Sequence, residues 1–549
     1  MEEIVESTVK ALPASALCDL LSAGVCLRCI FRIFSVDGDI YSFSLPSTAS
    51  LYSLLKPLIT PTELPKFEDD ISSMEVKNVC SSTEEKEVTN ETCLVCLGIL
   101  QTAILDQKKE TTQCKGNVAV LISEAVQHEG YQFDSFCLEV SIPPNTAIRD
   151  RALCRLYVKQ KYGTEEWFKN VSAINRPSVK EALKLSLIKP LEDLLGKNSD
   201  VNSSFRVALI YNHIGLSQEF NIEDSKENNG KRRKTGENNS FHNAANAAIH
   251  AARETVNGGG YSAAVQRILN SMSDDDFAKK YKFPPTKLSE PCKCEVICHR
   301  SSIYIGGRYL KYSRYVSQTR WMIDDERMGE NSVEEIIANT ILPQLRGDSY
   351  KFHAAGREDI DVRMLGTGRP FLVEVLNARV IPTKSALMEL ETNINESKDE
   401  YVKVRELMEV GSDIWNLMRE GEAEKQKQYA AVVWISRPLS DEDLKCISEI
   451  KEMEIEQKTP IRVLHRRSPL VRKRLIHWMK AERIEGTSQY FLLHLCTQAG
   501  TYIKEFVHGD LGRTYPNVGS LLGCVAEILQ LDVIDVKMDF FSSQGEHRT

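Results

Sequence analysis

The 549-residue chain has no uninterrupted apolar stretch near the roughly 18 residues that span a bilayer, so no membrane partner is expected. Its first residues, Met1-Glu2-Glu3-Ile4-Val5-Glu6, lack the apolar core of a secretory signal and the arginines of a transit peptide. Excess positive charge is also missing: 69 Lys and Arg stand against 77 Asp and Glu, a net of −8. That excludes a uniformly basic nucleic-acid coat and leaves room for a local basic groove. No internal repeat of solenoid period is present. Gly258-Gly259-Gly260 is not followed by Gly-Lys-Ser/Thr, so it reads as a hinge and not as a phosphate loop. No His-x-Glu accompanies the cysteines, which disfavours a zinc deaminase or nuclease.

What is present is an average soluble composition, 42% hydrophobic and 27% charged. At about 100–200 residues per domain, about two to four domains are expected. The expected setting is intracellular, where the 15 cysteines are thiols or metal ligands in preference to disulfides. Cys26-Leu27-Arg28-Cys29 and Cys93-Leu94-Val95-Cys96 are two CxxC pairs. Each such pair offers two thiolates from one tight turn, and two pairs complete a tetrahedral four-thiolate zinc site. The bland alternative is two unrelated pairs of buried thiols. Cys292, Cys294, Cys298 and His299 lack that spacing, and strand alternation accounts for them without a metal.

Residues 222–241 carry two hydrophobic side chains, Ile222 and Phe241, among Asn, Gly and charges, and read as a disordered loop. Lys66 to Glu91 holds eight acidic and three basic residues and reads as an exposed acidic insertion. Pro284, Pro285 and Pro291 mark a domain junction, with a boundary expected at 288/289. Upstream, Arg206–Tyr211 reads as a strand. Ser178–Lys197 reads as a helix that Pro190 should break or kink. Downstream, strands are expected at Cys294–Ile305, Phe371–Leu376, Tyr429–Ser436, Tyr490–Cys496 and Val533–Phe540. Helices are expected at Ser332–Leu345, Ser440–Met453 and Tyr502–Leu511. The second half is thus α+β, built on a mixed or antiparallel sheet.

The densest polar constellation runs Gly356-Arg357-Glu358-Asp359-Ile360-Asp361-Val362-Arg363 and on to Gly366-Thr367-Gly368-Arg369-Pro370. A carboxylate held between arginines stays ionised and oriented, as a nucleophile or base requires. A salt-bridged surface loop is the alternative. Asp359 and Asp361 are two residues apart, so in an extended segment both face one side and Glu358 faces the other.

Gly356-Arg357-Glu358-Asp359 resembles the Gly-Arg-x-Asp motif of pseudouridine synthases, in the version found in the archaeal and eukaryotic pseudouridine synthase ten family. Gly306–Arg314 with Ser317–Trp321, Lys427–Val433, Gly500–Thr514 and Leu529–Val533 resemble further motifs of that family in order and spacing. The CxxC pairs match its zinc site beside a THUMP-type RNA-binding domain. The resemblance implies an N-terminal zinc-bearing, THUMP-containing α/β accessory region (1–288) and a catalytic domain of pseudouridine synthase type (289–549). It implies isomerisation of uridine to pseudouridine in the tRNA T-arm, at position 54, 55 or both, by base flipping without ATP. Asp359 would be the catalytic group, with Asp361 as its competitor. Tyr429 would receive the base and Leu531 would pack on it. Tyr502 would line the site, and Arg308 or Arg314 and Lys504 would pair with Asp359 or phosphate. Structural zinc on Cys26, Cys29, Cys93 and Cys96 is the cofactor implied, with no organic cofactor. A monomer acting in nucleus and cytoplasm on tRNA, and on small-RNA precursors in a non-catalytic alternative, completes the expectation.

Ile461 to Thr487 carries eight basic and two acidic residues, with His465, His477 and Trp478 between them. Phosphate neutralisation and base stacking both use such residues, so an RNA-contacting face is expected there. Lys231-Arg232-Arg233-Lys234 is either a nuclear import signal or a solvated tetrad.

Overall fold

The computed structural model describes residues 2–36, 38–43, 54, 55, 57, 92–101, 118–172, 176–213, 268–288, 290–414, 418, 426–465 and 467–536. The acidic stretch 66–91, the loop 222–241 with its basic tetrad, and Gly258–Gly260 lie outside these residues. The chain divides into two compact units, Met1–His299 and Arg300–Thr549.

In the first unit, β1 (Ser135–Ser141), β2 (Asn198–Ser199), β3 (Phe205–Asn212) and β4 (Lys293–Arg300) form a sheet in the order β2–β1–β3–β4. β1 runs parallel to both its neighbours. The helix Val179–Leu195 opens on a capping box between Ser178 and Glu181 and closes on Gly196 at φ +64. It runs through Pro190 unbroken, against expectation. A proline inside a helix costs about 3 kcal/mol. Burial of Leu183, Leu187 and Leu191, at roughly 1.5–3 kcal/mol each, outweighs that.

The run expected as one strand, Cys294–Ile305, is two. It breaks at Ser301-Ser302, so that β4 completes the first sheet while β5 (Ile303–Lys311) opens the second. The junction therefore falls at 299/300 and not at 288/289.

The second unit holds β5, β6 (Ser349–Ala354), β7 (Arg363–Leu376), β8 (Val402–Val410), β9 (Lys427–Ile435), β10 (Lys451–Lys458), β11 (Val471–Arg483), β12 (Tyr490–Thr497), β13 (Thr514–Tyr515) and β14 (Ala526–Val536). They form one sheet in the order β8–β5–β7–β14–β9–β12–β11–β10–β13, with β6 on β7. β7 and β14 pair in parallel, whereas β5 with β7 and β9 with β14 are antiparallel. The unit is α+β on a mixed sheet. Helices Val333–Leu345, Lys384–Asn395 and Asp441–Glu449 bury Ile337, Ile341, Leu387, Leu390 and Ile447 in the core of this sheet. The helix expected to reach Met453 stops at Glu449, because Lys451 and Met453 pair with Trp478 and Ile476 of β11. The last strand begins at Ala526, earlier than expected.

Residues 355–362 join β6 to β7 and are fastened from beneath. Glu358 and Arg369 form an ion pair of 2.9 Å with side-chain exposures of 0% and 2%. The hydroxyl of Tyr309 lies 2.9 Å from both Glu358 oxygens. Gln318 donates to that hydroxyl and to the Gly356 carbonyl, each at 2.8 Å. Arg369 also donates to the Ala355 carbonyl. Lys311, fully buried at the end of β5, donates to the carbonyls of Val316 (2.9 Å), Ile360 (2.7 Å) and Asp359 (3.4 Å). Burial pushes this ammonium down to about 8, against the pull of Glu358, Asp361 and Asp359. Further along β7, Gly366 sits at φ +63. A Cβ there would lie 1.6 Å from the Ile534 carbonyl oxygen of β14, so only glycine lets the strands close.

Two outcomes follow from this fastening. Arg369→Leu strands the buried Glu358 carboxylate and is expected to cost about 3–5 kcal/mol in chemical denaturation. Asp361→Asn, on an exposed side chain, should stay within about 0.5 kcal/mol of wild type. Lys311 adds a pH signature. Between pH 8 and 10.5 the unfolded chain keeps the lysine proton that the folded chain has released, so this group makes stability rise with pH. The unfolding free energy of wild type minus that of Lys311→Met should be flat up to about pH 8 and climb above it. A difference that stays flat throughout contradicts the buried-ammonium assignment.

Candidate functional site

Above the fastened segment, a turn closed by the Val362 amide on the Asp359 carbonyl (3.1 Å) presents two carboxylates. The expected alternation holds, although a turn and not an extended strand produces it. Glu358 points into the core, while Asp359 and Asp361 keep 37% and 58% side-chain exposure. Lys504 binds both: its Nζ is 2.8 and 2.9 Å from the Asp361 oxygens and 3.4 Å from Asp359 Oδ2. Burial disfavours an ionised Asp361, but the hydrogen bond and charge of Lys504 outweigh it and hold the carboxyl below its ordinary value.

The second cation on Asp359 is Arg462, with Nη1 3.0 Å from Oδ2. Its Nε donates to Glu505 Oε1 at 2.7 Å, and Glu505 is buried. Lys504 and Glu505 open the short helix Ile503–His508, so one turn of backbone supplies both groups. Arg462 lies within the basic run that its sequence context marked as an RNA face. Nothing in its spacing shows that it turns back to the carboxylate, and Glu505 likewise carried no signal.

Of the cations expected to pair with Asp359 or with phosphate, Lys504 meets Asp359, while Arg308 and Arg314 make other contacts. Arg314 donates to the carbonyls of Asp361 (2.7 Å) and Leu531 (2.9 Å) and to Asp532 Oδ1 (2.7 Å). Arg363 takes the other Asp532 oxygen at 2.6 Å, so Arg314 ties the carboxylate turn to β14. Arg308 is buried and donates to the carbonyls of Thr367 and Val536.

Tyr429 lies on β9 opposite Val533, and Ala431 lies opposite Leu531, so strand alternation places Tyr429 and Leu531 on one face. Burial pushes the Tyr429 hydroxyl up to about 12, and the Arg369 guanidinium opposes part of that push. The arginine that fastens Glu358 therefore also reaches the tyrosine. Tyr502 is half-buried. Its backbone amide and carbonyl are bracketed by the Gln457 side chain at 3.0 and 2.9 Å.

The basic face is less open than its composition suggests. On β11, Lys473 pairs with Glu454 (2.8 Å), His477 lies 3.2 Å from Glu452, and Lys480 and Arg483 meet Glu482 and Asp441. Arg474 donates to the Gly500 carbonyl and Arg472 to Thr459, beside the Lys504 helix.

In the first unit, the sulfurs of Cys26, Cys29, Cys93 and Cys96 lie within 4.8 Å of one another. Cys26 and Cys96 are 3.7 Å apart, and Cys29 and Cys93 are 3.9 Å apart. A tetrahedral ion with bonds of about 2.3 Å needs sulfurs about 3.8 Å apart, so the four fit a metal. The surroundings suit thiolates: Cys93 Sγ accepts the Cys26 amide at 3.3 Å, and Arg32 lies 3.8 Å from Cys29 Sγ. Burial first, and then the neighbouring thiols, push the Cys29 and Cys96 thiols up, and a bound divalent cation would reverse that preference. Cys292 and Cys294 are buried beside Tyr211 in the same core and are not part of this cluster.

Comparison with known proteins gives the chain its family. Residues 304–537 match the family model "Pus10, C-terminal", and residues 93–298 match "Eukaryotic Pus10, N-terminal". The tRNA pseudouridine synthase Pus10 of Homo sapiens is 35% identical over 546 residues, covering 95% of this chain and 96% of that protein. The Xenopus laevis protein of the same name is 36% identical over 540 residues, with 95% and 96% covered. Among solved structures, a Cbf5-Nop10-Gar1 complex aligns at 15% identity and a TM-score of 0.24, over 42% of this chain and 48% of that one. Similarity that runs through both units, across the four cysteines' second pair and the carboxylate turn alike, makes this chain a member of the Pus10 family of tRNA pseudouridine synthases.

Proposed function

We propose that the chain isomerises uridine to pseudouridine in the T-arm of tRNA, at position 54, 55 or both, with Asp359 as the catalytic group. The observation that carries this is the solvent-facing Asp359 held by Arg462 and Lys504 above a buried anchor. The reaction breaks the C1′–N1 bond, turns the base and rejoins it through C5; the C5 proton is lost and a proton is gained at the freed N1. Reactant and product have the same composition, so no redox change or ATP is required. An ionised carboxylate serves either route, attack on C1′ or removal of a C2′ proton. The base has to leave its stack, and Tyr429 with Leu531 offers an aromatic and an aliphatic surface to receive it. The upward-shifted Tyr429 hydroxyl is neutral at neutral pH, which favours the receiving role over that of a phenolate base. The first unit, with its parallel β1–β3 pair and flanking helices, is read as the THUMP-containing RNA-gripping region.

A tRNA transcript tritiated at uridine C5 and incubated without ATP tests the assignment. Wild type should release tritium. Asp359→Asn should abolish release, while Asp361→Asn should retain a measurable rate. Full release from Asp359→Asn with none from Asp361→Asn moves the catalytic role two residues on. Binding without release from any T-arm substrate favours a non-catalytic RNA-binding factor.

Zinc is the metal proposed for the four cysteines, as a structural crosslink between the two CxxC turns. Chelation, or Cys93→Ala, should remove one zinc per chain by elemental analysis and lower the melting temperature of the first unit. Metal-free protein with unchanged melting overturns the structural-zinc assignment.

A further inference from the structure

We propose that the outer edge of the Arg462 guanidinium is a phosphate-binding site for the nucleotide being isomerised, and that Glu505 is the positioning residue that holds it there. This rests on the synthase reading above and names how the target nucleotide is seated.

Arginine carries five N–H donors in a rigid planar fork. In Arg462, Nε donates to Glu505 Oε1 at 2.7 Å, and Nη1 forms an ion pair with Asp359 Oδ2 at 3.0 Å. Among the described residues no hydrogen bond engages Nη2, and the side chain keeps 40% exposure. The open donors thus belong to a partly exposed side chain beside the Asp359 carboxylate. A guanidinium so placed matches the paired oxygens of a phosphodiester. Because the fork is rigid, a phosphate on its outer edge sits at a fixed offset from Asp359, within the reach of one nucleotide.

Glu505 supplies the fixing. Its side chain is 2% exposed, and its second oxygen, Oε2, is buried with no hydrogen-bond partner among the described residues. A buried carboxylate with an unused oxygen keeps a strong pull on the nearest cation. The base of the loop is also pinned: the Ile461 amide donates to Asp510 Oδ2 at 3.2 Å, and Arg513 donates to the Thr459 carbonyl at 2.7 Å. Charge does not forbid an incoming anion. The carboxylates of Asp359, Asp361 and Glu505 face the cations of Arg462, Lys504 and, behind the turn, Lys311.

The test uses the full chain with two readouts. One is the slope of log affinity against log salt for a T-arm transcript. The other is the single-turnover rate of tritium release at saturating RNA. Arg462→Gln should reduce the slope by about one, the loss of one phosphate contact. Arg462→Lys keeps the charge and should keep the slope, but it cannot span Glu505 and Asp359 with a fork. Its rate should fall by up to roughly 100-fold. Glu505→Gln should lower the rate with the slope preserved. An unchanged slope in Arg462→Gln overturns the phosphate site, and a wild-type rate in Arg462→Lys or Glu505→Gln overturns the positioning role. Should Glu505→Gln fail to fold, the two Arg462 variants decide, because that side chain is partly exposed. The slope is read from binding alone. A wild type that binds but releases no tritium therefore sinks the synthase reading without touching the slope comparison.

Discussion

Glu358 and Arg369 meet 2.9 Å apart with almost no exposure, and the position of the carboxylate turn depends on that contact. A buried charge pair of this kind adds little net stability, since desolvation offsets most of the attraction. Its consequence here is directional. With Glu358 drawn inward onto Arg369 and Tyr309, the residue after it has to face outward. The Lys311 ammonium then draws the carbonyls of Asp359 and Ile360 inward, so the backbone of the turn is held as well as its side chain. The arrangement resembles a peg and a clamp, and both come from strands on the far side of the loop, β5 and β7.

On the outer side the same logic runs through surface ions. Lys504 spans both aspartates, Arg462 joins Asp359 to Glu505, and Arg314 joins the turn to β14 through Asp532. The carboxylate is therefore flanked by cations that are each held by a second partner. Arg369 links this cluster to the tyrosine face, because its charge reaches Tyr429 as well as Glu358. The carboxylate proposed as the catalytic group and the surface proposed to receive the base thus share one buried support.

The motif Gly356-Arg357-Glu358-Asp359 made the carboxylate turn legible in the sequence, and simple alternation separated Glu358 from the two aspartates. Lys504 was legible for the same reason, as part of a motif. The CxxC spacing was enough to bring four sulfurs to metal-binding distance. Arg462 and Glu505 were not legible, because their roles arise only when the β10–β11 connection folds over the turn. Of the two partners expected for Arg308 and Arg314, Asp359 is not the one they meet: an arginine near such a motif in sequence can hold backbone carbonyls, and here both do. The basic count across 461–487 overstated the open charge, since acids on β10 lie opposite β11 and neutralise part of it. Pro190 and Ser301-Ser302 show the two directions of error in local rules. Packing carried one helix through a proline, and two sheets divided what looked like a single strand.

The most direct measurement of the central claim is a crystal structure of the Asp359→Asn protein bound to a T-arm RNA with 5-fluorouridine at the target position. The account predicts the C1′ of the flipped nucleotide over position 359, the base against Tyr429 and Leu531, and Glu358 still buried on Arg369. A C1′ seated over Asp361, or a turn in which Glu358 has left Arg369 to face the RNA, would contradict it.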